Sequence, residues 1–200
     1  IKLVIQFAIV SLVMFFLQMT NNIYFNGMVE IPFLNITFDL GMLYIFFATF
    51  VIVGAANAVN LTDGLDGLVS VPAVITLACF ALIIYATSNQ QISSHFGILN
   101  IENTAQLIMF CAAMIGAILA FLKFNLKPAK IFMGGVGSLA IGASLGVLAI
   151  ILKKELLFGI IGLVFVIEAV SVILQVGSYK LCKKRIFLMA PIHHHFEKLG

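Results

Sequence analysis

The chain has 200 residues, 62% of them hydrophobic and 10% charged, and a mean hydropathy of +1.19. This composition excludes a soluble domain, and with a formal charge of only +3 no nucleic-acid partner is expected. Apolar stretches run continuously for close to the ~20 residues of a spanning helix, unlike the ten-residue alternation of a barrel. The expected fold class is all-α, a polytopic membrane helix bundle forming a single integral membrane domain.

In chain order, residues 3–19 read as the first span, where Gln6, Ser11 and Gln18 mark a face turned to protein. No small-residue cleavage site precedes Asn21 and Asn22, so this run reads as a span and not as a signal peptide. The opening on Ile1 instead of methionine suggests a fragment. A loop over 21–39 carries Glu30 and Asp39 but no Lys or Arg. The second span, 40–59, is aromatic through Tyr44, Phe46, Phe47 and Phe50 and leads into a polar stretch. The third, 68–87, has Pro72 in its first turn, where a missing N–H is tolerated. A polar loop over 88–104 precedes the fourth span, 105–122. Lys123, Lys127 and Lys130 then surround the helix-stopping Pro128. Lys153, Lys154 and Glu155 separate the fifth span, 131–152, from the sixth, 156–176, and a basic tail covers 177–200. Cys79, Cys111 and Cys182, odd in number and without metal-type spacing, are expected as reduced thiols.

Lys and Arg are enriched in cytoplasmic loops. With the N-terminus inside, Lys2, the three lysines of the fourth-to-fifth loop, and Lys180, Lys183, Lys184, Arg185 and Lys198 all fall inside, leaving Lys153 and Lys154 outside. The polar stretch, the lysine loop, the start of the fifth span and the tail then share the cytoplasmic face.

Chemistry concentrates in residues 57–68, NAVNLTDGLDGL. An aspartate at a bilayer centre costs about 2.5 to 3.5 kcal/mol, so Asp63 and Asp66 belong at a membrane surface or in a polar cavity. Gly64 and Gly67 allow tight turning that brings Asn60, Asp63 and Asp66 towards one point, and converging oxygens suit a hard cation such as magnesium. A polar loop joining two helices accounts for the same residues. The fifth span opens IFMGGVGSL at 131–139, where free N–H groups at a helix start favour anions. Close helix packing is the stronger explanation, supported by the small pair Gly142 and Gly146. In the tail, His193, His194 and His195 could ligate a metal, donate to phosphate oxygens or shuttle protons, while the basic run at 183–185 fixes topology and touches anionic lipid. Glu168, inside the sixth span, needs a partner and reads as structural.

Residues 57–67, FMG at 132–134 with GSLA at 137–140, SVILQVGS at 171–178, RIF at 185–187 and MAPIHHHFE at 189–197 resemble the phospho-N-acetylmuramoyl-pentapeptide transferase family. The resemblance implies a ten-helix, magnesium-dependent enzyme of the bacterial inner membrane, usually a homodimer, with its active site facing the cytoplasm. Such an enzyme transfers phospho-MurNAc-pentapeptide from its UDP carrier to undecaprenyl phosphate, giving lipid I and UMP. Carried over by position, Asp63 would serve the magnesium-diphosphate site with Asn60 beside it, and Asn57 would join the substrate-binding set. Gly64, Leu65 and Asp66 would line the uridine pocket, Phe132 would stack on uracil and Asn125 would contact the nucleotide. His193, His194 and His195 would complete the site near the phosphates.

Two departures bear on activity. The family carries an acidic residue after FMG where this chain has Gly135, so an oxygen ligand to magnesium is expected to be lost. The family's adjacent aspartate pair and several helices also fall outside residues 1–200, making this six helices of ten. The expectation is an impaired or inactive transferase. The alternatives are a catalytically inert nucleotide-sugar- or partner-binding protein of the same family, and a transporter, which the clustering of acids at one surface disfavours.

Overall fold

The structure is a computed structural model that describes residues 1–20, 23–32, 34, 36–96, 98, 100–101 and 104–200; the polar positions Asn21 and Asn22 lie outside the described residues. Its elements in order are α1 (Lys2–Met19), β1 (Met28–Ile31), β2 (Ile36–Asp39), α2 (Leu43–Thr62), α3 (Ser70–Ser88), α4 (Gln90–Phe96), α5 (Leu107–Asn125), α6 (Gly134–Ile151), α7 (Glu155–Ile161), α8 (Leu163–Cys182) and α9 (Ile192–Leu199). Six of these, α1, α2, α3, α5, α6 and α8, are long and apolar enough to cross a membrane. A helix satisfies its own backbone polar groups, which makes it the form an uninterrupted apolar run takes in lipid. Side-chain hydroxyls within these runs bond back onto the same helix, as Thr62 does to the Ala58 carbonyl at 2.9 Å and Thr76 to that of Pro72 at 2.8 Å.

The bundle is built around α2, which packs on α1, α6 and α8, while α3 packs on α5. The seam between α2 and α6 depends on missing side chains. A Cβ on Gly142 would lie 2.5 Å from the Ala55 carbonyl oxygen and 2.6 Å from the Ala56 Cα, and one on Gly146 would lie 2.9 Å from the Ile52 Cα. The pair is therefore a packing device, as its spacing suggests. One core cluster runs through Val59, Leu77, Phe80, Leu145 and Phe165; a second gathers Met14, Tyr44, Ala48 and Ile150.

Three segments depart from the expected elements. The 21–39 loop contains an antiparallel hairpin in which Met28 pairs with Asp39 and Ile31 with Ile36, a small exception to the all-helical class. The expected sixth span over 156–176 is two helices, divided at Gly162, and α8 runs on to Cys182 through residues expected in the tail. The tail itself is ordered: it reverses at Lys183, whose φ of 55° is left-handed, and ends in α9.

Lys153 and Lys154, expected on the outer side between the fifth and sixth spans, are buried. Lys154 forms an ion pair with Glu30 of the hairpin, and Lys153 donates to the Asn26 side chain at 2.8 Å while lying over the Tyr44 ring. Tyr44 in turn donates to Glu155 at 2.6 Å. Burial pushes the Lys153 ammonium down to about 8, against the pull of Glu155 and Asp39, and pushes the Glu155 carboxyl up. This polar knot closes the end of the bundle opposite Asp63.

Candidate active site

Asp63 caps the C-terminus of α2. Its carboxylate accepts from the backbone N–H of Gly134, the first residue of α6, so the acid stands against a helix N-terminus whose partial positive charge favours it. Burial is the larger influence and raises the Asp63 carboxyl above its ordinary value, with the Gly134 N–H lowering it in part. Three residues earlier, Asn60 donates its amide N–H to Ser138 Oγ at 2.8 Å, and Ser138 donates onward to the Gly134 carbonyl at 3.0 Å. The amide nitrogen of Asn60 is thereby used and its oxygen is left for other work. Gly135 completes this corner: a Cβ there would lie 3.5 Å from the Asn60 amide nitrogen, ordinary van der Waals contact, so a side chain could be added without displacing backbone.

The connection from α2 to α3 is fastened to the lysine loop. Asn125, buried at the end of α5, accepts from the Gly67 N–H at 2.9 Å and donates to the Ile131 carbonyl at 2.9 Å. Gly67 takes φ +74°, which a side chain would strain. Asp66 is exposed and accepts from the Ala129 N–H at 3.1 Å. The carboxamide and carboxylate thus hold two loops together. Leu65 is half-buried beside them, and Phe132 is 76% exposed at the rim, free to receive a planar ligand.

From the other side the tail folds back. Gln175 on α8 accepts from the N–H groups of Ile186 and Phe187 at 3.0 and 2.9 Å and donates to the Phe187 carbonyl at 2.9 Å. Ser178 donates to the Lys184 carbonyl at 2.9 Å. These bonds seat α9, which begins after Pro191. The three histidines then diverge. His193 is buried, with Nδ1 3.0 Å from the Glu168 carboxylate. His194 Nδ1 lies 2.8 Å from the Glu197 carboxylate on the exposed side. His195 Nδ1 accepts from the Leu188 N–H at 3.1 Å, which places that ring's proton on Nε2.

His193 is the one that meets the aspartate stretch. Its Nε2 occupies the volume a Gly64 side chain would fill, and its Cε1 is 2.8 Å from that position. With the Glu168 side chain accepting from Nδ1–H, Nε2 is the open position of the ring. It is buried and has no hydrogen-bond partner, an atypical state for a polar atom that invites a ligand.

Asp63 and Asn60 thus face the start of α6 through Gly134 and Ser138, and the neighbouring Gly64 meets His193. Asn57 does not join them: its amide donates to Gln6 of α1 at 2.9 Å and to the Val53 carbonyl at 2.8 Å, serving the α1–α2 contact. Glu168, Gln175 and Ser138 are supporting residues with no role assigned by the sequence reading beyond a structural Glu168. A buried acid in an apolar helix was the available signal for Glu168; Gln175 and Ser138 lie within the motifs 171–178 and 137–140 that carry the resemblance, which assigned them no role. Among the described residues no three of His, Cys, Asp and Glu gather as a metal site.

Comparison with known proteins adds a lineage. Residues 1–153 match the family described as Glycosyl transferase family 4. The chain is 54% identical over 175 residues to the phospho-N-acetylmuramoyl-pentapeptide-transferase of Rickettsia bellii (strain OSU 85-389), covering 86% of this chain and 48% of the relative. It is 53% identical over 197 residues to the protein of that name from Sulfurimonas denitrificans, covering 98% and 55%, and 50% identical over 201 residues to that from Desulfotalea psychrophila, covering 100% and 55%. The chain spans about half the length of the curated relatives it matches.

Proposed function

The chain belongs to Glycosyl transferase family 4, and from that premise we propose that it carries the nucleotide-phosphate half of a phospho-N-acetylmuramoyl-pentapeptide transferase site. The substrates would be UDP-MurNAc-pentapeptide and undecaprenyl phosphate, the products lipid I and UMP, and the setting the bacterial inner membrane with Asp63 facing the cytoplasm. A homodimer, usual in the family that the chain resembles, belongs to the same proposal. The observation that carries the reading is the partnerless Nε2 of His193 seated against Gly64, the chain neighbour of Asp63, whose carboxylate stands at the N-terminus of α6.

The residues suggest a division of labour. The N–H groups at the N-terminus of α6 that Asp63 leaves free would receive a phosphate group, and the exposed Phe132 would take the uracil ring. His193 Nε2 would accept a proton from, or donate one to, a phosphate oxygen, with Glu168 holding the ring in orientation. The apolar bundle lets a polyprenyl phosphate approach along the bilayer while the nucleotide arrives from water.

Magnesium would be held by Asp63 with the free carboxamide oxygen of Asn60. This donor set is thin, and it fits an ion bound largely through substrate phosphates, as magnesium frequently is. When bound, the ion supplies neutralisation of charge on the diphosphate oxygens. Gly135 leaves open the corner where the resembling family has an acid, which favours an impaired enzyme, or an inert nucleotide-sugar-binding protein as the second reading.

The test is UMP release from UDP-MurNAc-pentapeptide and undecaprenyl phosphate in magnesium. Residues 1–200 would replace the matching stretch of the Sulfurimonas denitrificans relative, with Gly135 and with Gly135→Asp side by side. Release with aspartate and little with glycine is the expected result. Equal release would remove the impairment, and none from either, with UDP-sugar binding retained, would favour the inert reading.

A further inference from the structure

A groove of about 480 Å³ lies between the C-terminal turns of α8 and the returning tail. Lys180, Arg185 and Lys198 line it, from the helix, the reversal and α9 respectively. All three are exposed, and none forms an ion pair or hydrogen bond among the described residues. A fourth cation, Lys183, lies 5.7 Å from the centre of the Tyr179 ring on the groove wall. Apart from Gln175 and Tyr179 the rest of the lining is apolar, with Val176 and Met189 both exposed. Three like charges held around one cavity repel one another and are stabilised by a bound anion.

The position of the groove indicates which anion. On α8 its wall borders a face where Val166, Val170 and Ile173 are exposed, an apolar stripe fit for lipid chains. A phosphate among the three cations would be continuous with acyl chains lying along that stripe. Basic pockets beside transmembrane helices bind anionic headgroups in this manner. We propose that the groove is a headgroup site for an anionic phospholipid of the bilayer, such as phosphatidylglycerol, with Lys180, Arg185 and Lys198 on its phosphate. The site stands apart from the transferase reading, since it uses none of Asp63, Asn60 or His193.

The experiment is native mass spectrometry of the chain released from nanodiscs of equal phosphatidylglycerol and phosphatidylcholine. The expected result is retained phosphatidylglycerol in preference to phosphatidylcholine, with the preference falling by about tenfold or more in K180Q/R185Q/K198Q. The companion variant K123Q/K127Q/K130Q, which removes the same charge from the other basic loop, should keep it. Matching thermal unfolding of the two variants shows that both are folded. An unchanged preference in the first variant, or an equal loss in both, overturns the site in favour of diffuse surface charge. Displacement of phosphatidylglycerol by an equimolar amount of undecaprenyl phosphate overturns it in favour of the acceptor lipid, whatever the outcome for UMP release.

Discussion

The imidazole Nε2 of His193 fills the space where a side chain on Gly64 would stand. Residues 129 positions apart in the chain are thereby fitted to each other, and the glycine is what lets the histidine close on the turn that follows Asp63. Gly64→Ala should push the ring away, because an added methyl would overlap Nε2 and lie 2.8 Å from Cε1. The overlap sits at an exposed backbone position, so the expected effect is on the site more than on the fold. UDP-sugar binding measured by calorimetry should weaken at least tenfold, with the unfolding temperature shifting by only a few degrees. Unchanged binding would show that His193 does not need this seat.

Glu168 is a positioning residue for His193. Glu168→Gln keeps the shape but offers the ring both a donor and an acceptor, so the preference for a proton on Nδ1 is lost. In ¹⁵N spectra, His193 should change from one dominant tautomer to a mixture. UMP release by the hybrid carrying Gly135→Asp should fall by about 10²-fold, the lower range for general acid–base groups. A fall in release without a tautomer change would mean that Glu168 acts by packing alone.

The raised carboxyl of Asp63 has a defined sign. Burial makes the fold bind its proton more tightly than the unfolded chain does, so the ionised acid costs stability at neutral pH, and the cost is relieved as pH falls through the raised value. In metal-free buffer Asp63→Asn should therefore unfold at a higher temperature than the parent at pH 7, with the gap narrowing in acid. Equal unfolding temperatures at pH 7 would contradict the assignment.

Lys153 predicts the opposite slope at the other pole. Its folded value of about 8 lies below the ordinary 10.5, so between those values the unfolded chain binds the extra proton and stability rises with pH. Unfolding curves across that window should show the rise in the parent and a flatter profile in Lys153→Met.

At the α2–α6 seam, Gly142→Val would place Cβ against the Ala55 carbonyl and the Ala56 Cα, backbone atoms that cannot rotate aside. Overpacking of this kind costs about 1–3 kcal/mol or more. Gly116, on α5 with open space around its Cα, is the control: Gly116→Ala should be neutral or slightly stabilising in the same thermal assay.

The long helices were legible because apolar composition over some twenty residues has few other outcomes in lipid. Gly162 escaped notice because a glycine inside an apolar run carries no break signal of its own; Phe158 and Phe165 crowd it from both sides. The hairpin was hidden by strands of four residues, too short for alternation to register. At the site, 57–68 announced itself by polarity, yet polarity does not say which way a side chain points. Asn57 and Asn60 are three positions apart and offset by about 60° around the helix, enough to send one to Gln6 on α1 and the other to Ser138 on α6. The pairing of Glu168 with His193 required knowing that the chain turns back at Lys183, which no spacing reveals.

The three backbone groups taken up by Gln175 have a mechanical consequence. They join α8 and the histidine helix into one lever, whereas Asp63 is pinned to α6 through Gly134. The separation between acid and imidazole is then set by how α8 seats on its neighbours through Phe165, Glu168 and Ser171. Because the returning tail brings His193 back to the level of Glu168, one turn from Phe165, the same buried turn of α8 that packs into the bundle also sets where the imidazole stands.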